Sequence, residues 1–269
     1  MKFRCCLIFI LMILSSCASQ KKFAYDFVKK SKGAELAFYV PNELLKNNIR
    51  KDCQAENLYD IELEDIQDTI DARTKIVNKI DEELFLDVLI SSFESTLHDY
   101  DLSLVYWENE STMPDSLHWV VDLSQLEILE YTEYEVATCG LEGNYEIIPV
   151  VGVNVAAWFD LLNDGEKTNL LFTEQNLYEQ ICDCYYAKDS LNNLIVNVET
   201  QSLVIENFYD FAVALGRLYA GYSFDYFMND YVKKEFKKRG LEYPEDTYLR
   251  YDPYEMYIYY TRKDKLIEL

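Results

Sequence analysis

The sequence predicts an α+β domain, in which an antiparallel-rich sheet with long meander strands carries two main helices packed on one face. Residues 145–161 place apolar side chains at every second position, which is typical of a long strand. Residues 81–97 and 205–238 instead repeat apolar side chains three or four positions apart, which is typical of helices. The order strand, helix, three or four strands, helix then favours the α+β class.

The first half of the chain contains two predicted strands and two predicted helices. Residues 35–40 form an apolar run that ends at Pro41, which cannot continue a ladder, so a buried strand is expected there. A short helical piece is expected around residues 62–77. Acidic residues at 81–83 favour the start of the next helix, and residues 102–107 are the next strand. The apolar residues that recur every four positions in this helix are Phe85, Leu89, Phe93 and Leu97.

The second half is predicted as a meander followed by the strongest helix. Residues 117–175 read as three antiparallel strands longer than the norm, with hairpin chemistry at Asn163-Asp164-Gly165. The helix over residues 205–238 has small residues that let another element approach closely. Residues 248–260 contain many tyrosines and are expected to form an edge strand or an ordered tail.

The N-terminus has the pattern of an export signal. Lys2 and Arg4 precede an apolar run of ten residues, which is too short to span a bilayer, and Leu14-Ser15-Ser16-Cys17 follows. These four residues resemble the lipobox of bacterial lipoproteins, which implies cleavage before Cys17 and its lipidation by diacylglyceryl and a further acyl chain such as palmitate. The domain organisation expected is a signal peptide over 1–16, a lipidated Cys and flexible tether over 17–33, and one α+β domain over 34–269.

The composition favours some partners over others. The formal net charge of −23 repels phosphate backbones and anionic head groups, so nucleic acid is not an expected partner and a charged partner is expected to be basic or cationic. Ala18 and the residues after it lack the acidic signals associated with inner-membrane retention or surface export. The expected location is therefore the outer membrane, facing the periplasm.

Four cysteines remain besides the anchor. Cys53, Cys139, Cys182 and Cys184 permit two disulfides with three connectivities in an exported protein. Cys182 and Cys184 flank a single residue, so a direct bridge between them would be strained. A disulfide or free thiols are favoured over a metal site, because no further Cys pair or His stands near in sequence.

Motifs of the familiar hydrolases and nucleotide-binding proteins are not found in the sequence. His98 and His118 stand outside any metal-ligand spacing. Residues 160–166 superficially suggest a calcium loop, but Leu162 occupies a position where an oxygen ligand is needed. No cofactor is expected. A carboxylate pair could still hydrolyse glycosides, and the candidates are Asp122, Glu127, Glu130, Glu133 and Glu135.

A wider resemblance is carried by four segments. Phe38–Pro41, Trp119–Glu127, Asn154–Phe159 and Ala214–Asn229 resemble a family of uncharacterised lipoproteins of the Bacteroidota. The resemblance implies an envelope location and a shared fold, and it implies no catalytic residue.

The sequence favours a non-enzymatic outer-membrane lipoprotein with a binding or assembly role and an envelope protein or lipid-transport partner. The alternative is a carboxylate-dependent hydrolase or a glycan-binding module of the envelope. A pocket with two perturbed acids, or an exposed aromatic platform, would favour the alternative. Trp107, Trp119 and Trp158 are too few and too embedded in strand patterns to predict a sugar platform.

Overall fold

The computed structural model describes residues 20–105, 119–139, 144–163, 166–167, 170–188, 190–244, 247–261 and 266–268. The helices are α1 (20–30), α2 (Ile66–Arg73), α3 (Glu82–Asp99) and α4 (Ile205–Lys238). The strands are β1 (Glu35–Tyr39), β2 (Leu45–Asn48), β3 (Ser103–Val105), β4 (Trp119–Cys139), β5 (Asn144–Asn163), β6 (Glu166–Lys167), β7 (Leu171–Tyr178), β8 (Gln180–Lys188), β9 (Leu194–Gln201), β10 (Tyr248–Asp252), β11 (Tyr257–Thr261) and β12 (Ile267–Glu268).

The main sheet has the strand order β12-β7-β5-β4-β1-β3, and two short strands, β2 and β6, pair with β4 and β5. β4, β5 and β7 form the antiparallel meander that the sequence predicts, with long ladders between them. The turn residues 164–165 lie outside the described residues. β1, β2 and β3 all join in parallel, so the sheet is mixed and less antiparallel than expected.

The two longest helices pack against one another and against one face of the sheet. Phe38 of β1 stacks on Phe93 of α3, with ring centroids 4.0 Å apart. Phe159 of β5 meets Tyr219 of α4 edge to face at 5.0 Å. The four predicted α3 residues are fully buried in this layer, and Asp81 caps the helix by accepting a hydrogen bond from the Leu84 amide. The prediction of an α+β fold is therefore confirmed in its coarse form.

The prediction of a flexible tether is wrong from residue 20 onward. Residues 20–30 form α1, in which Phe23 and Phe27 are almost fully buried. Phe23 contacts Phe236 and Phe27 contacts Tyr231, so α1 runs antiparallel to the end of α4. Residues 19–32 contain five lysines, which favour a solvated segment, whereas the apolar stripe on one side of the helix decides its packing. Residues 17–19 lie outside the described residues.

Two hairpins complete the described structure. β8 and β9 form a separate two-stranded sheet, and a disulfide joins Cys184 of β8 to Cys139 of β4, with a Cα–Cα distance of 5.1 Å. β10 and β11 pair at the C-terminal end, where an edge strand or ordered tail was expected. Asn229 of α4 holds β10 through hydrogen bonds to both the N–H and the C=O of Leu249.

Candidate ligand-binding cleft

A cleft of about 580 Å³ lies between α1, the last turns of α4 and the first residues of β1 and β4. Its volume is in the range of small-molecule sites in proteins. The lining residues are Phe27, Lys30, Ser31, Gly33, Ala34, Glu35, Trp119, Asn163, Tyr231, Lys234 and Lys238. The residues combine an aromatic wall with three lysines, which is a notable concentration of positive charge in so acidic a chain.

The aromatic wall of the cleft is rigid. The indole of Trp119 stacks on buried Phe227 at 5.6 Å, and the ring of Phe27 lies 5.4 Å from it on a tilted plane. The indole N–H donates to the Asn163 side-chain oxygen at 3.1 Å, and the amide of Asn163 in turn donates to Asp230 at 2.5 Å. Because Phe227 covers one face of the indole, Trp119 forms a fixed apolar surface and is not an open platform.

Each of the three lysines has a polar partner beside the cleft. Lys30 donates to the hydroxyl of Tyr231 at 2.6 Å, and this hydrogen bond raises the pKa of the lysine above its usual value. Lys234 pairs with Asp230 at 3.1 Å, and Lys238 pairs with Glu235 at 2.8 Å. Both carboxylates belong to α4 and neither lines the cleft. An anion that enters the cleft can therefore compete for ammonium groups that are already gathered there.

Glu35 is the single carboxylate among the residues that line the cleft. Acid and base hydrolysis of a glycoside requires two carboxylates flanking the bond, so the described wall of the cleft does not supply that pair. Asp122 lies elsewhere, directly opposite Asp160 in the β4–β5 ladder. Glu133 and Glu135 are exposed on the far part of β4, and Glu127 is half-buried on the same strand.

Glu130 is fully buried, and its carboxylate connects separate parts of the fold. Its carboxylate accepts hydrogen bonds from the backbone amides of Lys75, Ile76 and Val77 at 2.9 to 3.1 Å. The guanidinium of Arg50 donates to it at 3.0 Å. These contacts fasten the segment after α2 to the middle of β4, and they use the carboxylate as an acceptor for the fold.

The remaining sequence candidates do not meet at one place. His98 is exposed in the last turn of α3, and His118 lies outside the described residues. Cys53 is a buried free thiol, and burial raises its pKa, while Cys182 is an exposed free thiol. Of the disulfides that the four cysteines permit, the structure contains Cys139–Cys184. Within the described residues, no group of three or more His, Cys, Asp or Glu side chains is arranged to hold a metal ion.

The lipidation candidate Cys17 lies outside the described residues, as does Trp107. Trp158 is half-buried beside Phe172 on β5 and β7, away from the cleft. None of the helices in the described ranges is long and apolar enough to cross a membrane.

The sequence reasoning missed the lysines of the cleft, together with Asn163 and Tyr231. The sequence does contain a signal for the lysines, because residues 20–33 and 231–240 contain ten of the 25 basic residues and two acidic residues. The missing information was that α1 packs antiparallel to the end of α4, which brings the two basic segments together.

Comparisons with known proteins add little to this geometry. No protein-family model and no curated protein matches the chain. Among solved structures, it is similar to a Helicobacter pylori protein described as a neuraminyllactose-binding hemagglutinin homolog. The identity is 9%, the TM-score is 0.36, and the match covers 76% of this chain and 92% of the other. A likeness this weak carries no conclusion about the ligand.

Proposed function

We propose that this chain is a non-enzymatic binding protein of the cell envelope, and that the cleft holds an anionic amphiphile. The observation that carries the proposal is the meeting of Lys30, Lys234 and Lys238 with a rigid aromatic wall in one cavity. The lysines provide charge-assisted hydrogen bonds to a carboxylate or phosphate. The wall takes the apolar part of the ligand, at roughly 25 cal/mol per Å² of apolar surface removed from water.

The location is part of the proposal. The pattern Leu14 to Cys17 supports a lipid anchor in the outer membrane, with the domain facing the periplasm, and an envelope protein or lipid-transport partner. Mass spectrometry of the native protein tests the anchor: a diacylglyceryl-modified N-terminal Cys17 is expected, and its absence overturns the anchor. Crosslinking in intact cells tests the partner, since recovery of the monomer alone contradicts it.

A fluorescence titration tests the ligand. The emission of Trp119 is isolated by replacing Trp107 and Trp158 with Phe, and the chain is titrated with dodecanoate, lysophosphatidylglycerol and the neutral dodecyl maltoside. Saturable binding of either anion, at least tenfold tighter than that of the neutral amphiphile, is expected. The two anionic arms distinguish a carboxylate from a phosphate headgroup.

Matched variants locate the binding. The triple variant Lys30→Gln, Lys234→Gln, Lys238→Gln should lose at least tenfold in affinity. A control triple variant removes the same charge at exposed lysines outside the cleft, Lys51, Lys79 and Lys188. Equal losses in both variants would show that the effect is one of net charge and would contradict the proposal.

The glycan-binding alternative has its own arm. An oligomer of uronic acids carries carboxylates without an apolar tail, so it depends on an open ring face, which Phe227 denies to one side of Trp119. If the uronate oligomer binds tightly and neither of the two anionic amphiphiles binds, the chain binds an acidic glycan and the amphiphile proposal is wrong. The hydrolase alternative is tested by the same oligomer, because the appearance of reducing ends would show turnover.

A further inference from the structure

Ten of the 25 basic residues of this chain lie in two segments that pack against each other. We define the basic pole as residues 20–33, which contain α1, together with residues 231–240 at the end of α4. The two segments carry ten basic and two acidic residues, in a chain whose net charge is −23. Contacts between them hold the pole together, including Phe23 against Phe236 at 5.5 Å and the guanidinium of Arg239 over the ring of Phe23 at 4.4 Å.

Several lysines of the pole are open to solvent. Lys22, Lys29 and Lys237 are exposed and do not line the cleft. The paired aromatic residues beneath them are buried, so the pole is a firm part of the fold and not a loose basic tail. Charges held on a rigid surface can face a partner together, without first losing the conformational entropy of a disordered segment.

The pole lies beside the N-terminal end of the described chain. α1 begins at residue 20, three residues after Cys17. Three residues of extended chain reach about 10 Å at most. A lipid on Cys17 would therefore keep the start of α1 within about 10 Å of the membrane, which is comparable to the Debye length of about 8 Å over which lysines attract anionic headgroups.

We propose that the basic pole docks the domain on an anionic lipid surface, in an orientation that turns the acidic remainder of the chain away from the bilayer. Each lysine near an anionic surface contributes about 1 kcal/mol of attraction. The carboxylates of the rest of the chain are repelled by anionic headgroups and the lysines of the pole are attracted to them, so the favourable orientation has α1 and the end of α4 toward the membrane. This inference rests on the proposed function and deepens it, because the cleft lies between the two helical segments of the pole.

Vesicle binding of a chain without the anchor tests the docking. The full chain carrying Cys17→Ser is mixed with vesicles of 30% phosphatidylglycerol and 70% phosphatidylethanolamine, or of phosphatidylcholine alone, and the bound fraction is measured by flotation at low and at 0.3 M salt. Binding to the anionic vesicles at least tenfold stronger than to the neutral ones is expected, with the preference reduced by salt. Equal binding to both vesicles overturns the proposal.

A matched pair of variants identifies the surface. Lys22→Gln, Lys29→Gln and Lys237→Gln together should weaken binding to the anionic vesicles at least fivefold more than the control triple at Lys51, Lys79 and Lys188, which removes equal charge. A smaller difference overturns the assignment to the pole. Both triples change exposed residues, and their circular dichroism spectra and urea midpoints check that the fold is kept.

The outcomes separate this inference from the proposed function. An unmodified Cys17 in the native protein refutes the anchor but leaves the vesicle preference of the Cys17→Ser chain as it is. Loss of vesicle binding in the pole variant, with unchanged binding of soluble amphiphiles, supports docking independently of the cleft. Lys30, Lys234 and Lys238 line the cleft and also belong to the basic pole, so the cleft variant is expected to lose vesicle binding as well as amphiphile binding. The pole variant keeps these three lysines, so unchanged vesicle binding in that variant overturns docking whatever the cleft binds.

Discussion

Replacing Glu130 by Ala should be among the most destabilising single changes in this chain. The substitution removes the acceptor of three backbone amides and of the Arg50 guanidinium, whose side chain is 9% exposed. Asp52 still pairs with Arg50 at 2.6 Å, but it is half-exposed and cannot reach the place of the lost carboxylate. Breaking a buried ion pair by removing one partner costs about 3–5 kcal/mol.

We expect a loss of about 4 kcal/mol in the free energy of unfolding, since the three amides also lose a charged acceptor while water entering the space recovers part of the cost. With a urea m-value of about 3 kcal/mol/M, the midpoint should fall by roughly 1.3 M. Urea unfolding followed by circular dichroism measures it. Glu135→Ala is the control, because that residue is exposed on the same strand, and a change within about 0.5 kcal/mol is expected there. A loss below about 1 kcal/mol for Glu130→Ala, at an unchanged m-value, would refute the structural role.

Three further predictions concern other parts of the fold. Gly216→Ala should lower the free energy of unfolding by about 1–3 kcal/mol, because the added Cβ would clash with the α3 backbone. The cost of this clash exceeds the roughly 1 kcal/mol that alanine gains in helix propensity. A higher free energy of unfolding for the variant, measured in urea, would contradict this prediction. Replacing Cys139 and Cys184 by Ser should cost about 2–4 kcal/mol, since the bridge closes a separation of 45 residues, and the reduced wild-type chain should match the variant in the same assay. The hydrogen bond from Lys46 lowers the pKa of Glu82 below its usual 4.5, so this pair stabilises the fold above pH 4.5, and that stabilisation is lost as the pH falls through the folded-state pKa. In Glu82→Gln the decrease in the free energy of unfolding below pH 4.5 should be smaller, by under about 1 kcal/mol, because the pair is partly exposed to solvent.

The elements that were predicted well are those with a local and repeated signal. In α3, four apolar residues one turn apart all become buried, so the periodicity alone determined the helix and its inner face. In β5, alternation over 17 residues predicted a long strand because a sheet buries one face at every second position. The parallel pairing of β1 with both β4 and β3 had no such signal, since it joins residues about 70 positions or more apart.

The candidate site was missed for a related reason. The content of lysine in residues 20–32 was interpreted as solvation, and this outweighed the spacing of Phe23, Phe27 and Ser31, which places the three residues on one side of a helix. The basic residues at the end of α4 play no part in the helical periodicity that predicts this helix. These residues form one site only because α1 packs against the end of α4, and no pattern within either segment predicts that contact.

The contacts of α1 also determine when the fold can close. Gln20 donates to Thr247, and the backbone amide of Ile258 donates to Tyr25, so residues near the start of the described chain are held by residues more than 220 positions later. A chain that emerges from its amino end during synthesis or translocation makes α1 long before its partners appear. Phe23 and the side of Phe27 that contacts Tyr231 must then stay uncovered until the end of α4 has followed, which leaves the joining of the two ends of the chain as a late step of folding.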